Sequence, residues 1–214
     1  MAIIDILGVP HVYELTTLPS KSSSPVLIFI HGWLLSRAYW QPLIDRLASD
    51  YQCLIYDLRG FGDSRVSPIT SNQVSKSNLN CQNLNGEENL PSNSNYTLAA
   101  YARDLSILLE QLDIEQAWLI GHSLGGSIAL WGADFCSKRV RGVICLNSGG
   151  GIYLKEEFER FRATGQQIVK RRPRWLFYVP LIDLVFARAM VARPLPRHWA
   201  RQRINYYRCH AASH

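Results

Sequence analysis

The chain has 214 residues, of which 47% are hydrophobic and 19% charged, with a formal net charge of +6; this composition supports a sizeable core and excludes a fibrous or broadly disordered protein. Five widely spaced cysteines without a C-x-x-C pair favour reduced thiols over a disulfide framework or a zinc site. No signal-peptide pattern opens the chain, and no run reaches the roughly 20 apolar residues of a membrane-spanning helix, so a soluble or at most peripheral protein is expected. The reduced thiols predict a cytoplasmic location.

The predicted elements alternate between strands and helices, which indicates an α/β fold with a mostly parallel sheet after an N-terminal antiparallel hairpin. The hairpin is predicted at residues 2–7 and 11–17, on either side of Gly8-Val9-Pro10. Apolar, β-rich runs typical of strands buried on both faces lie at residues 25–32, 52–58, 117–123 and 141–148. Helices are predicted at residues 36–49, from the N-cap Thr97 through Leu112, and at residues 124–136.

Two segments depart from this alternation. Residues 66–95 are dominated by Ser and Asn and predict a disordered surface insertion. From Gly149 onward Arg-rich amphipathic helices are predicted, and residues 138–214 hold 16 basic against 4 acidic residues. The predicted organisation is therefore a core at residues 1–148, followed at residues 149–214 by a basic helical cap with an aberrant C-terminus.

The segment Gly121-His122-Ser123-Leu124-Gly125 lies between a predicted strand and a predicted helix and matches G-x-S-x-G, the nucleophile elbow. So sharp a turn strains the serine backbone and pushes Oγ out above the edge of the sheet, while Gly121 and Gly125 keep side chains away from the crowded junction. The amide of Leu124, in the first turn of the helix, then faces a developing oxyanion. The alternative is that Ser123 only caps the helix.

Two further motifs follow predicted strands. His31-Gly32-Trp33 ends the first parallel strand, and Gly32 lets the backbone turn so that the Trp33 amide becomes the other oxyanion donor, with the indole lining a pocket. His31 and His122 lie too close to the strand ends for a catalytic base and are expected to support the site through hydrogen bonds. Residues 57–64, DLRGFGDS, form a Gly-rich turn with an internal Asp/Arg pair that is expected to brace the loop.

The H-G-W, D-x-R-G-x-G-x-S and G-H-S-x-G-G segments, in this order, resemble the α/β-hydrolase fold family over roughly residues 1–148. The resemblance implies that Ser123 attacks the carbonyl of a small-molecule acyl substrate such as an ester, and that the Trp33 and Leu124 amides hold the oxyanion. It also implies that a histidine moves the proton and an acid orients that histidine. A serine at the elbow favours the esterase, lipase and C–C hydrolase branches. No cofactor and no metal are expected.

The family's acid and histidine follow two further strands after the elbow, and no such strands are predicted here. The later carboxylates are Asp134, Glu156, Glu157, Glu159 and Asp183, and the later histidines are His198, His210 and His214. Asn147 ends the last predicted strand, where some relatives keep their acid, but an amide cannot stabilise an imidazolium. Because two strand–helix units take roughly 60 residues, the core is predicted to lack its last strands through C-terminal truncation. The chain is then inactive as written, unless His198 or His210 folds back onto Ser123.

The basic region leaves two roles open. Its arginines are explained most simply as the solvated face of a helical cap. Residues 170–186, KRRPRWLFYVPLIDLVF, place Trp, Phe and Leu beside Arg, as expected for peripheral contact with an anionic membrane and a lipid-like substrate. No nucleic-acid recognition motif accompanies the charge, so no nucleic-acid partner is predicted. The competing function class is a non-catalytic scaffold that binds a membrane surface or a protein partner through these helices.

Overall fold

The computed structural model describes residues 1–17, 24–64 and 96–148, together with isolated positions between 159 and 198. The chain divides into two compact units, Met1–Gly149 and Gly150–His214. In the second unit most of the described positions are helical. The remainder of the predicted cap lies outside the described residues, as do the Ser/Asn-rich insertion and most of the basic segment at 170–186. No helix among the described residues is long and apolar enough to cross a membrane.

A six-stranded sheet forms the centre of the described part of the first unit. Its strands are β1 (Ala2–Ile6), β2 (Val9–Leu15), β3 (Val26–Ile30), β4 (Cys53–Tyr56), β5 (Ala117–His122) and β6 (Val140–Leu146). Their spatial order is β1-β2-β4-β3-β5-β6. β1 pairs antiparallel with β2 and β2 with β4, whereas β4, β3, β5 and β6 run parallel. The predicted mostly parallel sheet with an opening hairpin is confirmed.

Among the described residues of the first unit, three helices accompany the sheet: α1 (Gln41–Leu47), α2 (Leu98–Gln111) and α3 (Leu124–Phe135). The single helix predicted at residues 36–49 is instead a 3-10 turn at Arg37–Trp40 followed by α1. Pro42 lies in the first turn of α1, where its missing N–H costs nothing. Thr97 caps α2 as predicted, because its hydroxyl accepts a hydrogen bond from the Ala100 amide at 3.1 Å.

The hairpin turn is shorter than the sequence indicates. Ile6 pairs with Val9, so only Leu7 and Gly8 form the turn. Both have positive φ, 54° at Leu7 and 79° at Gly8, as a two-residue turn that matches the twist of its strands requires. The Asp5 carboxylate accepts a hydrogen bond from the Gly8 amide at 3.0 Å, which stabilises the turn.

Alternate residues of the central strands bury opposite faces of the sheet, as the two-residue period of a strand dictates. The core cluster beside α2 and α3 takes these residues from β3 and β4: Ile28, Ile30, Leu54 and Tyr56. The cluster beside α1 takes the intervening residues Phe29, Cys53 and Ile55. Because both faces are covered, the carboxyl ends of these strands form a firm base for the loops that follow them.

Candidate functional site

The predicted site residues come from the carboxyl ends of neighbouring parallel strands. β3 lies between β4 and β5 in the sheet, so the chain leaves β3 to one side and later returns to its other side. Such a topological switch point is where open α/β sheets bind their ligands. The loops at this edge begin at residues 31, 57 and 123.

Ser123 occupies the turn between β5 and α3 in a strained conformation. Its φ is 54° and its ψ is −118°, a backbone conformation that residues other than glycine rarely adopt. Ser123 stands at the N-cap position of α3, but its side chain makes no capping hydrogen bond, which argues against the capping alternative. Backbone bonds fix the turn: the Ser123 amide donates to the Leu146 carbonyl at 3.0 Å, and the Ser123 carbonyl accepts from the Gly126 amide at 3.0 Å.

The glycines of the motif let the turn approach the sheet closely. A Cβ at Gly121 would lie 2.2 Å from the carbonyl oxygen of Gly125, and a Cβ at Gly125 would lie 2.1 Å from the carbonyl oxygen of Ile30. Since these neighbours are backbone atoms, they cannot move aside as the end of a side chain can. Both positions therefore require glycine.

Gly32 brings the loop after β3 against the serine. A Cβ at Gly32 would lie 3.2 Å from Ser123 Cβ, so the two backbones are nearly in contact. The residues that follow, Trp33 and Leu124, are the predicted oxyanion donors, and neither amide donates a hydrogen bond to another described residue. Two unengaged amides beside a serine are the donor set that stabilises a tetrahedral oxyanion.

His31 links two of the loops at this edge. Its ring is fully buried, and Nε2 accepts a hydrogen bond from the Leu58 amide at 3.1 Å. The proton must then reside on Nδ1, which donates to the Gly32 carbonyl at 2.8 Å. With both nitrogens engaged, His31 is suited to positioning Gly32 and not to accepting a proton.

His122 immediately precedes the serine and packs against Tyr39. The two ring centroids are 4.9 Å apart with an interplanar angle of 31°. Burial lowers the pKa of His122, so the ring is uncharged at neutral pH. Its Nδ1 is buried and has no hydrogen-bond partner among the described residues. Tyr39 was not predicted from the sequence, because nothing in its local pattern shows that the turn before α1 lies beside β5.

The loop after β4 is not braced by an internal Asp/Arg pair, so that prediction is wrong. Asp57 is fully buried and bonds Arg37, from the loop after β3, through both the Arg37 amide at 2.7 Å and its guanidinium. The guanidinium also donates to Asp63 and to Glu14 of β2, each at 2.9 Å. Burial disfavours the charge of Arg37, but these carboxylates outweigh it and raise its pKa above the ordinary value. One arginine thus joins β2 to the loops after β3 and β4.

Arg59 pairs instead with Asp104 of α2, which it bonds through two guanidinium nitrogens. His11 of β2 is fully buried and places its Nε2 3.5 Å from the same carboxylate. This histidine–carboxylate pair cannot serve Ser123, because β2 and β5 are separated by β4 and β3, a distance of roughly 14 Å across the sheet.

The predicted elbow and oxyanion residues are therefore brought together: Gly121, His122, Ser123, Leu124 and Gly125 with His31, Gly32 and Trp33. The acid and base candidates are not brought to them. Glu156, Glu157, Asp183, His210 and His214 lie outside the described residues. Glu159 and His198 are described only within the second unit, and Asp134 lies exposed on α3. In the described part of the chain no group of His, Cys, Asp and Glu side chains is suited to a metal ion.

A sheet of this order, with a strained serine turn where a central strand meets a helix, defines the α/β-hydrolase class of folds. The family model described as the alpha/beta hydrolase fold matches residues 25–202. The chain belongs to the α/β-hydrolase fold family.

The curated relatives include named enzymes. The chain is 32% identical over 147 residues to 2-succinyl-6-hydroxy-2,4-cyclohexadiene-1-carboxylate synthase of Yersinia pseudotuberculosis, covering 69% of this chain and 43% of that enzyme. It is 26% identical over 134 residues to 3-oxoadipate enol-lactonase 1 of Acinetobacter baylyi, covering 63% and 41%. The matched region thus spans less than half the length of these relatives.

Solved structures agree on the fold. An α/β-hydrolase enzyme from a deep-sea metagenome library of the Medee basin, MGS-M2, superposes with a TM-score of 0.65 at 17% identity, covering 99% of this chain and 66% of that one. A thermophilic esterase from Thermogutta terrifontis gives a TM-score of 0.55 at 22% identity, covering 82% and 54%.

Proposed function

We propose that this chain is a serine hydrolase that cleaves an ester or another acyl bond of a small molecule, with Ser123 as its nucleophile. The observation that carries the proposal is the strained turn at Ser123, whose side chain does not cap the helix that it precedes. Strain of this kind persists where a function requires it. The lactonase and esterase among the relatives support acyl chemistry, and the comparisons do not favour the non-catalytic scaffold.

In the proposed reaction Ser123 Oγ attacks the substrate carbonyl carbon, and the carbonyl electron pair moves onto oxygen between the Trp33 and Leu124 amides. A base takes the Oγ proton and returns it to the departing alcohol as the tetrahedral adduct collapses to an acyl-serine. Water, activated by the same base, then releases the acid and restores the serine. His31 contributes by holding the Gly32 peptide, which precedes the Trp33 amide.

None of the described histidines of the first unit is placed to act as this base. His11 is three strands away, His31 has both nitrogens engaged, and the His122 ring packs on Tyr39. Among the histidines that follow the elbow, His198 and His210 are therefore the first candidates. A serine without a positioned base reacts slower by several orders of magnitude, so the rate of acylation reports whether one is present.

The proposal is tested by labelling the full 214-residue chain with a fluorophosphonate probe. The matched pair is Ser123→Ala and Ser127→Ala, because Ser127 lies one helical turn further along α3. We expect labelling of the wild type and of Ser127→Ala, and none of Ser123→Ala. Labelling that survives Ser123→Ala would refute Ser123 as the nucleophile. A folded wild-type chain that stays unlabelled would show that these 214 residues position no base, and it would refute hydrolysis by this chain. Replacing His198 or His210 with alanine then identifies the base through a slowed labelling rate.

A further inference from the structure

A firmly held turn presents Tyr39 at the edge of the sheet. The 3-10 turn Arg37–Trp40 is closed by a hydrogen bond from the Tyr39 amide to the Ser36 carbonyl at 3.0 Å. Trp40 is 3% exposed and packs on Phe29, with ring centroids 5.3 Å apart. The Trp40 and Tyr39 ring centroids are 5.0 Å apart, and the two rings meet at an interplanar angle of 76°. The Tyr39 ring is nevertheless 40% exposed. The contacts with Trp40 and His122 restrain this partly exposed ring, so a ligand that packs on it costs little further side-chain entropy.

Contacts connect this ring to the reactive serine. Tyr39 packs against His122, which immediately precedes Ser123. A Cβ added to Gly32 would lie 3.0 Å from His122 Nδ1. Gly32 is followed by Trp33, which is 41% exposed. Two half-exposed aromatic side chains therefore lie within a few residues of the proposed oxyanion donors.

The charged group of the same turn, the Arg37 guanidinium, is directed away from this edge. Arg37 is 7% exposed, because its guanidinium is directed towards Asp57, Asp63 and Glu14. His122 is uncharged at neutral pH, since burial lowers its pKa. The turn consequently offers an aromatic face and not a cation that would pair with a carboxylate on the substrate. Aromatic faces of this kind favour planar π-systems through offset stacking.

We propose that the site at Ser123 takes substrates with an uncharged, planar aromatic or conjugated acyl group, and that Tyr39 is the residue that selects them. This inference rests on the proposed function, because it identifies the acyl group that Ser123 would receive.

The test measures binding without turnover. In the full chain carrying Ser123→Ala, the affinities for methyl benzoate and methyl cyclohexanecarboxylate are compared by NMR titration, because the two esters differ in the planarity of the acyl ring. We expect methyl benzoate to bind about three- to tenfold more tightly, the range that an aromatic pair contributes beyond area burial. Adding Tyr39→Leu should abolish this preference, whereas Tyr39→Phe, which keeps the ring, should retain it.

Equal affinities for the two esters, no binding of either, or a preference that survives Tyr39→Leu would overturn the inference. The proposed function fails separately, in the labelling experiment on the wild-type chain. Labelling at Ser123 without a preference between the two esters would support the hydrolase and refute the aromatic subsite. A Tyr39-dependent preference without labelling would support the subsite and refute hydrolysis by this chain.

Discussion

The backbone of Ser123 is held in a conformation that glycine adopts far more readily. At φ 54° and ψ −118°, a Cβ costs of the order of 1–3 kcal/mol. Ser123→Gly relieves this strain and Ser123→Ala does not. We therefore expect Ser123→Gly to have a free energy of unfolding about 1 kcal/mol higher than Ser123→Ala, once the greater entropy of glycine in the unfolded chain is offset. Urea unfolding of the two variants measures the difference.

The comparison between the two variants is the control, because both remove the hydroxyl and only one removes Cβ. A Ser123→Gly variant that is less stable than Ser123→Ala would show that the turn is not strained. The expected result would support a site in which exposing the nucleophile lowers the free energy of unfolding.

His122 predicts a pH dependence of stability. Burial lowers its pKa below the ordinary value of 6.5, so between the two values the unfolded chain binds a proton that the folded chain does not. The contribution of neutral His122 is fully present above pH 6.5 and is lost as the pH falls towards its folded pKa. We expect the wild type to lose more stability than His122→Gln between pH 7.5 and pH 5.5, as read from urea midpoints. Equal losses would contradict this assignment, and they would leave the other histidines as the source.

At the level of elements, Arg37 joins three parts of the first unit: β2, the loop after β3 and the loop after β4. Arg37→Leu leaves Asp57 fully buried and without its counter-charge, and breaking a buried pair in this way costs about 3 kcal/mol. The loss should be smaller at pH 5 than at pH 7, because a carboxyl without its cation has a higher pKa and is protonated more readily. Urea unfolding at both pH values measures it.

A double variant distinguishes the buried charge from lost packing. Adding Asp57→Asn to Arg37→Leu removes the unpaired charge and should recover part of the stability at pH 7. If the double variant is no more stable than Arg37→Leu alone, the arginine acts through its packing.

The elements that the sequence predicted well are those with a strong local pattern. Continuous apolar runs predicted the parallel strands, and the Thr97 side chain predicted the start of α2. The two-residue hairpin turn and the 3-10 turn before α1 were missed, since they depend on φ values and hydrogen bonds that many sequences satisfy. The partners of Arg37, Arg59 and His11 were also missed, because each contact joins residues far apart in the chain.

The candidate site was predictable for a reason of topology. Parallel strands bring their carboxyl ends to one edge, so motifs that directly follow β3 and β5 must meet there. The contact between Gly32 and Ser123 follows from this rule. Tyr39 was not predictable, because it lies several residues beyond the end of β3 and reaches the edge only through the packing of its turn.

At the scale of the whole molecule, the described cores are confined to the first unit. Both hydrophobic clusters, with the partly buried residues packed against them, consist of residues between Ile4 and Val143, and the unit ends at Gly149. A chain of residues 1–149 therefore retains every described core contact, and we expect it to unfold in a single cooperative transition. Ile144 and Leu146 on β6 are 44% and 39% exposed, and exposed apolar side chains on an edge strand favour aggregation. Unfolding is therefore best followed by circular dichroism at micromolar concentration. A broad, non-cooperative transition in residues 1–149, beside a cooperative one in the full chain, would show that the second unit is required to complete the core.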